Sequence, residues 1–346
     1  MNKYIFQQYA FEKNKQEDFY NLIRDIYPKN KKVQDYIYLI KKIKSKKNPS
    51  FKFILIKNFI AYKNNTPVGH ISAMIDNRLN KESRPIGIIG FYECTNDNIL
   101  SKLLIEKAIN YLKSKECRLI RGPINLTIWH QYRFVLDQRE EDTFSLEPIT
   151  KNYYPEQFIN AGFKIVCEYC SGIRRDFSTI LPYTLENYKY LLKEGFSIRK
   201  LTKNNFKSGL FSINKMSNKI FKDSWSFVEL SEAEFLYLYE KNKNKLNTQS
   251  VEIVSDPRGK DVGFCFSIKD PRIEKTFIVK SIGVLSEYRK KGVGATLIYN
   301  NHEKMAGEGM NTAIYALIKI GNNVTNMNYP GIKIIRKYIV LEKEII

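Results

Sequence analysis

The sequence has few of the side chains that build metal and redox centres. Its 346 residues include three histidines and five cysteines. An odd number of cysteines in a chain without an export signal argues against a disulfide framework. Cys167 and Cys170 have a spacing that some zinc and redox sites use, but no second pair complements them, and strand residues three apart point to opposite faces. We therefore expect no metal site.

The sequence also lacks long apolar runs. No stretch approaches the roughly 20 residues that a membrane-spanning helix needs, and the residues after Met1 lack the apolar core of a signal peptide. These features favour a cytoplasmic protein without a membrane span. The length of the chain and its 43% hydrophobic content allow two domains with substantial cores.

Acidic residues are outnumbered by basic ones, 36 to 57, which gives a formal net charge of +21. A charge of this size raises the possibility of nucleic-acid binding. The lysines are spread along the chain, however, and the densest basic run, residues 41–47, is explained by the solvated end of a helix. We therefore expect no nucleic-acid partner, although a basic surface would attract a polyanionic cofactor.

Two common phosphate-binding motifs are missing, Gly-x-x-x-x-Gly-Lys-Ser/Thr and Gly-x-Gly-x-x-Gly. The sequence has instead a basic turn, Arg289-Lys290-Lys291-Gly292-Val293-Gly294, between a predicted strand at 276–285 and a predicted helix at 295–305. Main-chain N–H groups in the first turn of a helix lack partners and favour an anion, and glycines let phosphate oxygens approach closely. The alternative is an ordinary connection between a strand and a helix.

This Arg-x-x-Gly-x-Gly turn after a valine-rich strand resembles the acyl-CoA pyrophosphate loop of the GNAT acetyltransferase superfamily. In GNAT proteins an asparagine commonly follows the next strand, with a tyrosine seven residues later, and Asn322 and Tyr329 have this spacing. The resemblance implies that Asn322 holds the pantetheine arm or the local backbone. The remaining CoA contacts that it implies are Val284, Leu285, Arg289, Lys290, Lys291, Gly292, Val293, Gly294 and Ala295.

The resemblance also implies catalytic roles. Tyr329 would donate a proton to the departing thiolate, since a phenol and a thiol have roughly similar pKa values. A packing role is the alternative for this tyrosine. A main-chain N–H near Val284 or Leu285 would stabilise the oxyanion. A carboxylate base often lies earlier on this strand in the family, but residues 277–283 contain none.

The two halves of the sequence repeat the order hairpin, strand, helix, strand. The sequence thus predicts a mixed α/β fold of two tandem GNAT-like domains, each a mostly antiparallel twisted sheet flanked by helices. Their ranges are 1–177 and 196–346, with a linker helix at 178–195. Where the second half has its glycine turn, the first has Glu93 to Asn98, which has no glycine and carries two acids. We expect only the C-terminal domain to bind CoA, and the degenerate first domain to have a substrate-binding or structural role.

Two aromatic segments are candidates for the acceptor site. The first is an aromatic loop at 221–227, which includes Phe221 and Trp225 and lies where GNAT acceptors usually enter; a hydrophobic staple explains it equally well. The second includes His130, Tyr132 and Arg133, and if it is a strand, His130 and Tyr132 share one face. Here Arg133 could hold a carboxylate or a phosphate.

The base that deprotonates the acceptor is left open by the sequence. Water, Glu229 or Asp223 beside the aromatic loop, and His130 are the candidates. For His130 the alternative is a structural histidine in an aromatic core.

The function that the resemblance implies is acyl transfer, with acetyl as the expected group, from CoA to a primary amine of a small molecule. Longer acyl-CoAs or an acyl-carrier protein are alternative donors, and no metal is required. The alternatives from other classes are a non-catalytic CoA-binding or acyl-binding module and a basic tandem domain that binds nucleic acid or a protein partner.

Overall fold

The computed structural model describes residues 4–136, 143–246, 249–321 and 331–345. Within these ranges no helix is both long and apolar enough to cross a bilayer. The elements of the first half are β1 (Ile5–Tyr9), α1 (Lys13–Ile26), α2 (Lys31–Ile43), β2 (Ile54–Lys63), β3 (Thr66–Lys81), β4 (Arg84–Cys94), α3 (Asn98–Lys113), β5 (Leu119–Gly122), β6 (Phe134–Val135), α4 (Tyr154–Asn160) and β7 (Lys164–Arg174).

Among the described residues the second half repeats this order, without counterparts of β6 and α4, after one connecting helix. Its elements are α5 (Ile180–Lys193), β8 (Ser197–Lys200), α6 (Phe206–Ile220), α7 (Glu232–Tyr239), β9 (Gln249–Ser255), β10 (Asp261–Lys269), β11 (Thr276–Val284), α8 (Val293–Gly307), β12 (Thr312–Lys319) and β13 (Lys333–Glu344). The connecting helix α5 lies inside the segment, 178–195, that the sequence assigns to a linker helix.

All the strands join one mixed sheet. Its order is β1-β2-β3-β4-β5-β13-β7-β12-β11-β10-β9-β8, with β6 beside β13. Within each half the neighbours are antiparallel, except that β4 with β5 and β11 with β12 are parallel. This arrangement confirms the predicted α/β class with a mostly antiparallel sheet in each half.

The last strands of the two halves are exchanged. Strand β13 pairs with β5 of the first half, and β7 pairs with β12 of the second. The two exchanged strands also pair with each other at the centre of the sheet. The predicted ranges 1–177 and 196–346 therefore give the order of elements in each half, but residues 333–344 hydrogen-bond to strands of the other half.

Alternation along the strands places apolar side chains on both faces of the sheet. On β4, Ile88 packs with α1 and α2, while the next residue, Ile89, packs with α3. In the second half α8 and α5 cover one face, and α6 and α7 cover the other. Successive strand residues point to opposite faces, so a strand covered by helices on both sides is apolar throughout.

Candidate active site

In the second half the pairing of two parallel strands ends before the strands do, and the gap between their unpaired ends is called the cleft below. Strands β11 and β12 pair from Thr276 with Thr312 as far as Val279 with Tyr315. Beyond this point β11 continues to Val284 beside β10. The cleft between the diverging strands leads towards the N-terminus of α8, because α8 follows β11 along the chain.

A bulge lies on β11 at the start of this cleft. In the register with β10, Phe266 faces Ser281 and Ser267 faces Val279, which leaves Lys280 as an extra residue. The extra residue of a bulge is unpaired in the ladder, and its N–H and C=O are available to other partners. The side chain of Lys280 donates to the hydroxyl of Tyr239 at 3.1 Å and lies 4.6 Å from the centre of that ring.

The N-terminus of α8 is open to an anion. Gly292 precedes the helix with φ 85°, and no side chain from the described ranges caps the helix. The N–H groups of Val293, Gly294 and Ala295 belong to the first turn, which has no intrahelical acceptors for them. Among the described atoms, a Cβ placed on Gly294 would meet only Val284 Cγ2, at 3.9 Å. The backbone at Gly294 is therefore open to a ligand.

The basic residues of this turn extend into solvent. Arg289, Lys290 and Lys291 are exposed, and Arg289 Nε donates to the carbonyl of Val284 at 3.4 Å. Gly292 has a packing role that the sequence does not reveal, because a Cβ there would lie 2.9 Å from Asn187 Oδ1 on α5. Its left-handed backbone and the close approach of α5 both require glycine.

Two of the predicted CoA contacts, Val293 and Leu285, have buried side chains. The side chain of Val293 is 1% exposed and belongs to the core, so only its N–H faces the turn. Leu285 is buried, and its N–H donates to the carbonyl of Val262 at 2.9 Å. The prediction that Leu285 supplies an oxyanion donor is therefore wrong, because that N–H already has a partner.

Asn322 and Tyr329 lie outside the described residues.

The first half fills its own version of this site. The side chain of Asp97 accepts from the N–H groups of Ile99 and Leu100, both at 3.0 Å, and so caps α3. The equivalent bulge is at Phe91, which has φ 46°, and its N–H donates to Asn125 Oδ1 at 2.6 Å. A CoA pyrophosphate at α3 would meet a carboxylate instead of free N–H groups.

Glu93 lies beside this bulge, and its environment is not evident from the sequence. It is 1% exposed and accepts from Tyr36 at 2.9 Å and from Tyr154 at 2.7 Å. Burial raises the pKa of its carboxyl to about 7. The sequence signal for this buried acid is its position, because the apolar strand from Ile86 to Tyr92 ends on it.

The aromatic loop of the second half packs against the first half. Trp129 contacts Phe221, with ring centres 6.1 Å apart, and donates from Nε1 to the carbonyl of Val228 at 2.8 Å. Trp225 stacks on Tyr132 at 6.5 Å. The structure thus brings together the two aromatic segments, the one around His130 and the loop at 221–227, which are separate candidates in the sequence.

The segment around His130 is a closed loop instead of a strand. One isolated bridge joins Ile124 and Tyr132, and Leu126 and Arg133 have positive φ, so the chain turns back on itself. The expectation that strand alternation places His130 and Tyr132 on one face is therefore wrong.

One of the two ring nitrogens of His130 has a hydrogen-bond partner among the described residues. Its Nδ1 lies 3.0 Å from Thr127 Oγ1, and its Nε2 is buried without a partner in the described residues. Burial lowers its pKa to about 4, so the ring is neutral at pH 7. A neutral imidazole can accept a proton.

The carboxylates suggested as bases lie on the surface. Glu229 is exposed, and its Oε1 accepts from Asn218 Nδ2 at 3.3 Å. Asp223 is exposed as well. In the described part of the chain, no cluster of three or more His, Cys, Asp or Glu side chains could hold a metal ion.

Comparison with known proteins gives no match by sequence and clear matches by structure. Among protein-family models and curated proteins, none matches this sequence. The glucosamine N-acetyltransferase region of a fungal multi-domain GH3 β-N-acetylglucosaminidase superposes with a TM-score of 0.62 at 14% identity, over 98% of this chain and 38% of that one. A tandem GNAT protein from the clavulanic acid biosynthesis pathway gives 0.59 at 9% identity, over 99% and 98% of the two chains. The chain has the tandem GNAT fold.

A third structure extends this likeness. A conserved Enterococcus faecalis protein, described as a probable N-acyltransferase, gives a TM-score of 0.60 at 10% identity, over 98% of this chain and 73% of that one. At such identities the likeness concerns the fold alone, because one fold carries many functions. Within the tandem GNAT fold, the cleft beside β11 and the open end of α8 belong to the second half.

Proposed function

We propose that the protein is an acyl-CoA-dependent N-acyltransferase whose CoA site is in the second half. The observation that carries this proposal is the uncapped N-terminus of α8, with Gly294 open to a ligand at the end of a strand that carries a bulge. A pyrophosphate at Gly294 would accept from the free N–H groups of the first helical turn, and the exposed Arg289, Lys290 and Lys291 would add attraction.

The reaction needs three groups around the thioester. An N–H must stabilise the oxyanion, a base must take a proton from the amine, and an acid must protonate the thiolate. The unpaired main chain at the Lys280 bulge is the best-supported oxyanion donor, since Leu285 is already bonded. Tyr329 remains the proposed acid.

His130 is the proposed base. Its Nε2 has no partner in the described residues, and its neighbour Trp129 packs against the aromatic loop. Because burial lowers its pKa to about 4, His130 would be a weaker base than an exposed histidine. The acceptor would enter between Phe221, Trp225 and Tyr132. We propose acetyl-CoA as the donor, with longer acyl-CoAs as alternatives.

The binding step is tested by calorimetry with acetyl-CoA. We expect saturable binding with one site per chain, and loss of that binding in Gly294→Glu, whose carboxylate would lie where the phosphate binds. Gly307→Glu is the matched control: it adds the same charge at the other end of α8, at a position where a Cβ meets no atom within 4 Å. Equal binding by both variants would contradict the proposed site.

A non-catalytic CoA-binding protein is the second candidate. It is favoured by Lys280, which stands at the bulge on a strand segment, residues 277–283, that contains no acid. Release of the CoA thiol in the presence of primary amines distinguishes the two functions. Saturable acetyl-CoA binding without any amine-dependent thiol release would favour the second.

A further inference from the structure

Arg133 is a buried cation at the junction between the two halves. It is 8% exposed. Its Cζ lies 3.7 Å from the centre of the Tyr132 ring and 4.0 Å from that of Tyr169, and the two rings stand at 89° to each other. The guanidinium therefore fills a corner between two aromatic side chains, which stabilise a cation without neutralising its charge.

No carboxylate in the described ranges forms an ion pair with Arg133. Two acids of the same junction already have cationic partners: Glu147 accepts from Arg336 at 2.9 Å, and Glu342 accepts from Arg121 at 2.6 Å. A buried charge without a counter-ion is unfavourable, so a ligand anion that paired with Arg133 would be stabilised there.

One edge of the guanidinium is available to a ligand. Nε is buried and has no hydrogen-bond partner in the described part of the chain. Nη2 donates to the hydroxyl of Tyr132 and, at the long distance of 3.5 Å, to the carbonyl of Leu317. Nε and Nη2 lie on the side of the guanidinium that can bind a carboxylate through two parallel hydrogen bonds. A ligand carboxylate would accept from the free Nε and would replace the long contact of Nη2 with Leu317.

A small cavity lies beside this arginine. It has a volume of about 30 Å³, and its lining includes Arg133, Tyr132, Asn125 and Gln131. A cavity needs about 10–15 Å³ to hold one water molecule, so this one has room for a group the size of a carboxylate. Arg133 also has φ 88°, a strained conformation for a residue with a Cβ, and such strain concentrates at binding sites.

Arg133 reaches the cleft of the other half. Leu317, whose carbonyl it contacts, lies on β12 two residues beyond Tyr315, where the pairing of β12 with β11 ends. A ligand held by Arg133 would thus lie next to β12, near the point where its pairing with β11 ends. The first half would supply the anchor, and the second the thioester.

We propose that Arg133 binds a carboxylate of the acceptor, so that the acceptor is a small amino acid-like molecule with both an amine and a carboxylate. The acylation of that amine rests on the proposed function, whereas the binding of the carboxylate does not. The two can therefore fail separately.

The test uses the two tryptophans of the chain as reporters. Both lie at this junction, and Trp225 stacks on Tyr132, the ring beneath Arg133. Tryptophan fluorescence is titrated, without CoA, with 4-aminobutyrate, with n-butylamine, which lacks the carboxylate, and with inorganic phosphate. We expect 4-aminobutyrate to bind about ten-fold more tightly than n-butylamine, since hydrogen bonds to charged groups are the strong ones.

Variants assign that preference to one side chain. Arg133→Met should abolish it, Arg133→Lys should retain part of it because the charge remains but the fork is lost, and Arg175→Met, the same change at an exposed arginine, should leave it intact. Thermal melting confirms that each variant is folded. Equal binding of 4-aminobutyrate and n-butylamine by the wild type would overturn the proposal whatever the variants do, and so would tighter binding of phosphate.

The outcome is independent of the CoA experiment. If acetyl-CoA binds and neither amine nor carboxylate produces a saturable signal, the carboxylate site is wrong and the CoA site stands. If 4-aminobutyrate binds through Arg133 and acetyl-CoA does not bind, the acyltransferase proposal fails and the carboxylate site stands.

Discussion

Glu93 shows how burial changes the chemistry of a single residue. It stands beside the bulge of β4, and its two carboxylate oxygens are held by Tyr36 and Tyr154. Burial dominates these hydrogen bonds and raises the pKa to about 7. The folded protein therefore binds a proton at Glu93 between pH 4.5 and 7, where the unfolded chain has released it.

This linkage predicts a pH dependence of stability with a definite sign. Because the folded pKa is raised, the contribution of Glu93 is fully present below pH 4.5 and is lost as the pH rises through 7, a change of roughly 3 kcal/mol. We expect Glu93→Gln to remove this loss. Urea unfolding of both proteins at pH 5 and pH 8 measures the difference.

The comparison between the two proteins isolates Glu93 from other groups. Burial lowers the pKa values of His130 and His302 to about 4, so these histidines favour the folded state at higher pH, opposite to Glu93. They are present in both proteins and cancel in the difference. An identical change in unfolding free energy between pH 5 and pH 8 for both proteins would show that Glu93 is ionised in the folded state.

Helices α3 and α8 occupy the same place in the two repeats, but their N-termini differ. Asp97 caps α3, and Gly292 leaves α8 uncapped. A side-chain cap contributes about 1 kcal/mol to stability. The open end of α8 lacks that contribution, as expected where a ligand supplies the missing acceptors.

Removal of the cap on α3 should affect stability without creating a second CoA site. We expect Asp97→Ala to lower the unfolding free energy by about 1 kcal/mol in urea, relative to Asp25→Ala, an exposed acid of α1. Acetyl-CoA should still bind once per chain, because Asn125 still occupies the N–H of Phe91. Two acetyl-CoA sites in Asp97→Ala would show that the cap alone closes the first cleft.

Local patterns predict part of this fold. The apolar run at 276–285 predicts β11, and the helical spacing of the apolar residues between Ala295 and Met305 predicts α8. From the sequence, the segment around His130 is a possible strand on which His130 and Tyr132 would share one face, whereas the structure has a loop there. The loop is held by contacts with residues that are distant in sequence. Phe91 N–H donates to Asn125, Trp129 donates to the carbonyl of Val228, and Trp225 stacks on Tyr132. Periodicity within one segment carries no information about such contacts.

The whole molecule is held together by the exchange of its last strands. Tyr338, Ile339, Val340 and Leu341 of β13 are all 0% exposed. Their strand lies between β5 and β7, which it pairs on either side. The sequence could not predict this exchange, because an apolar strand has the same pattern whichever sheet neighbour it joins. The two repeats are therefore one folding unit, although each contains a full set of elements.

We therefore expect that the two halves will not fold when they are separated, even though the division after Gly195 falls in an exposed turn. Residues 1–195 alone would expose the edges of β5 and β7, and residues 196–346 alone would carry β13 without its partners. Unpaired strand edges promote aggregation. We expect each piece to be insoluble when expressed alone, and the co-expressed pieces to form a soluble 1:1 complex by light scattering.

The control is the full chain with a protease recognition sequence inserted at Gly195, an exposed turn residue after α5. After cleavage the two pieces should elute together and separate only in denaturant, because the ladder of β13 with β5 and β7 crosses the cut. Two soluble, folded and separate pieces would mean that each half can close its own sheet. The exchange would then not be required for folding, and the anchor at Arg133 would have to be tested within a half that stands alone.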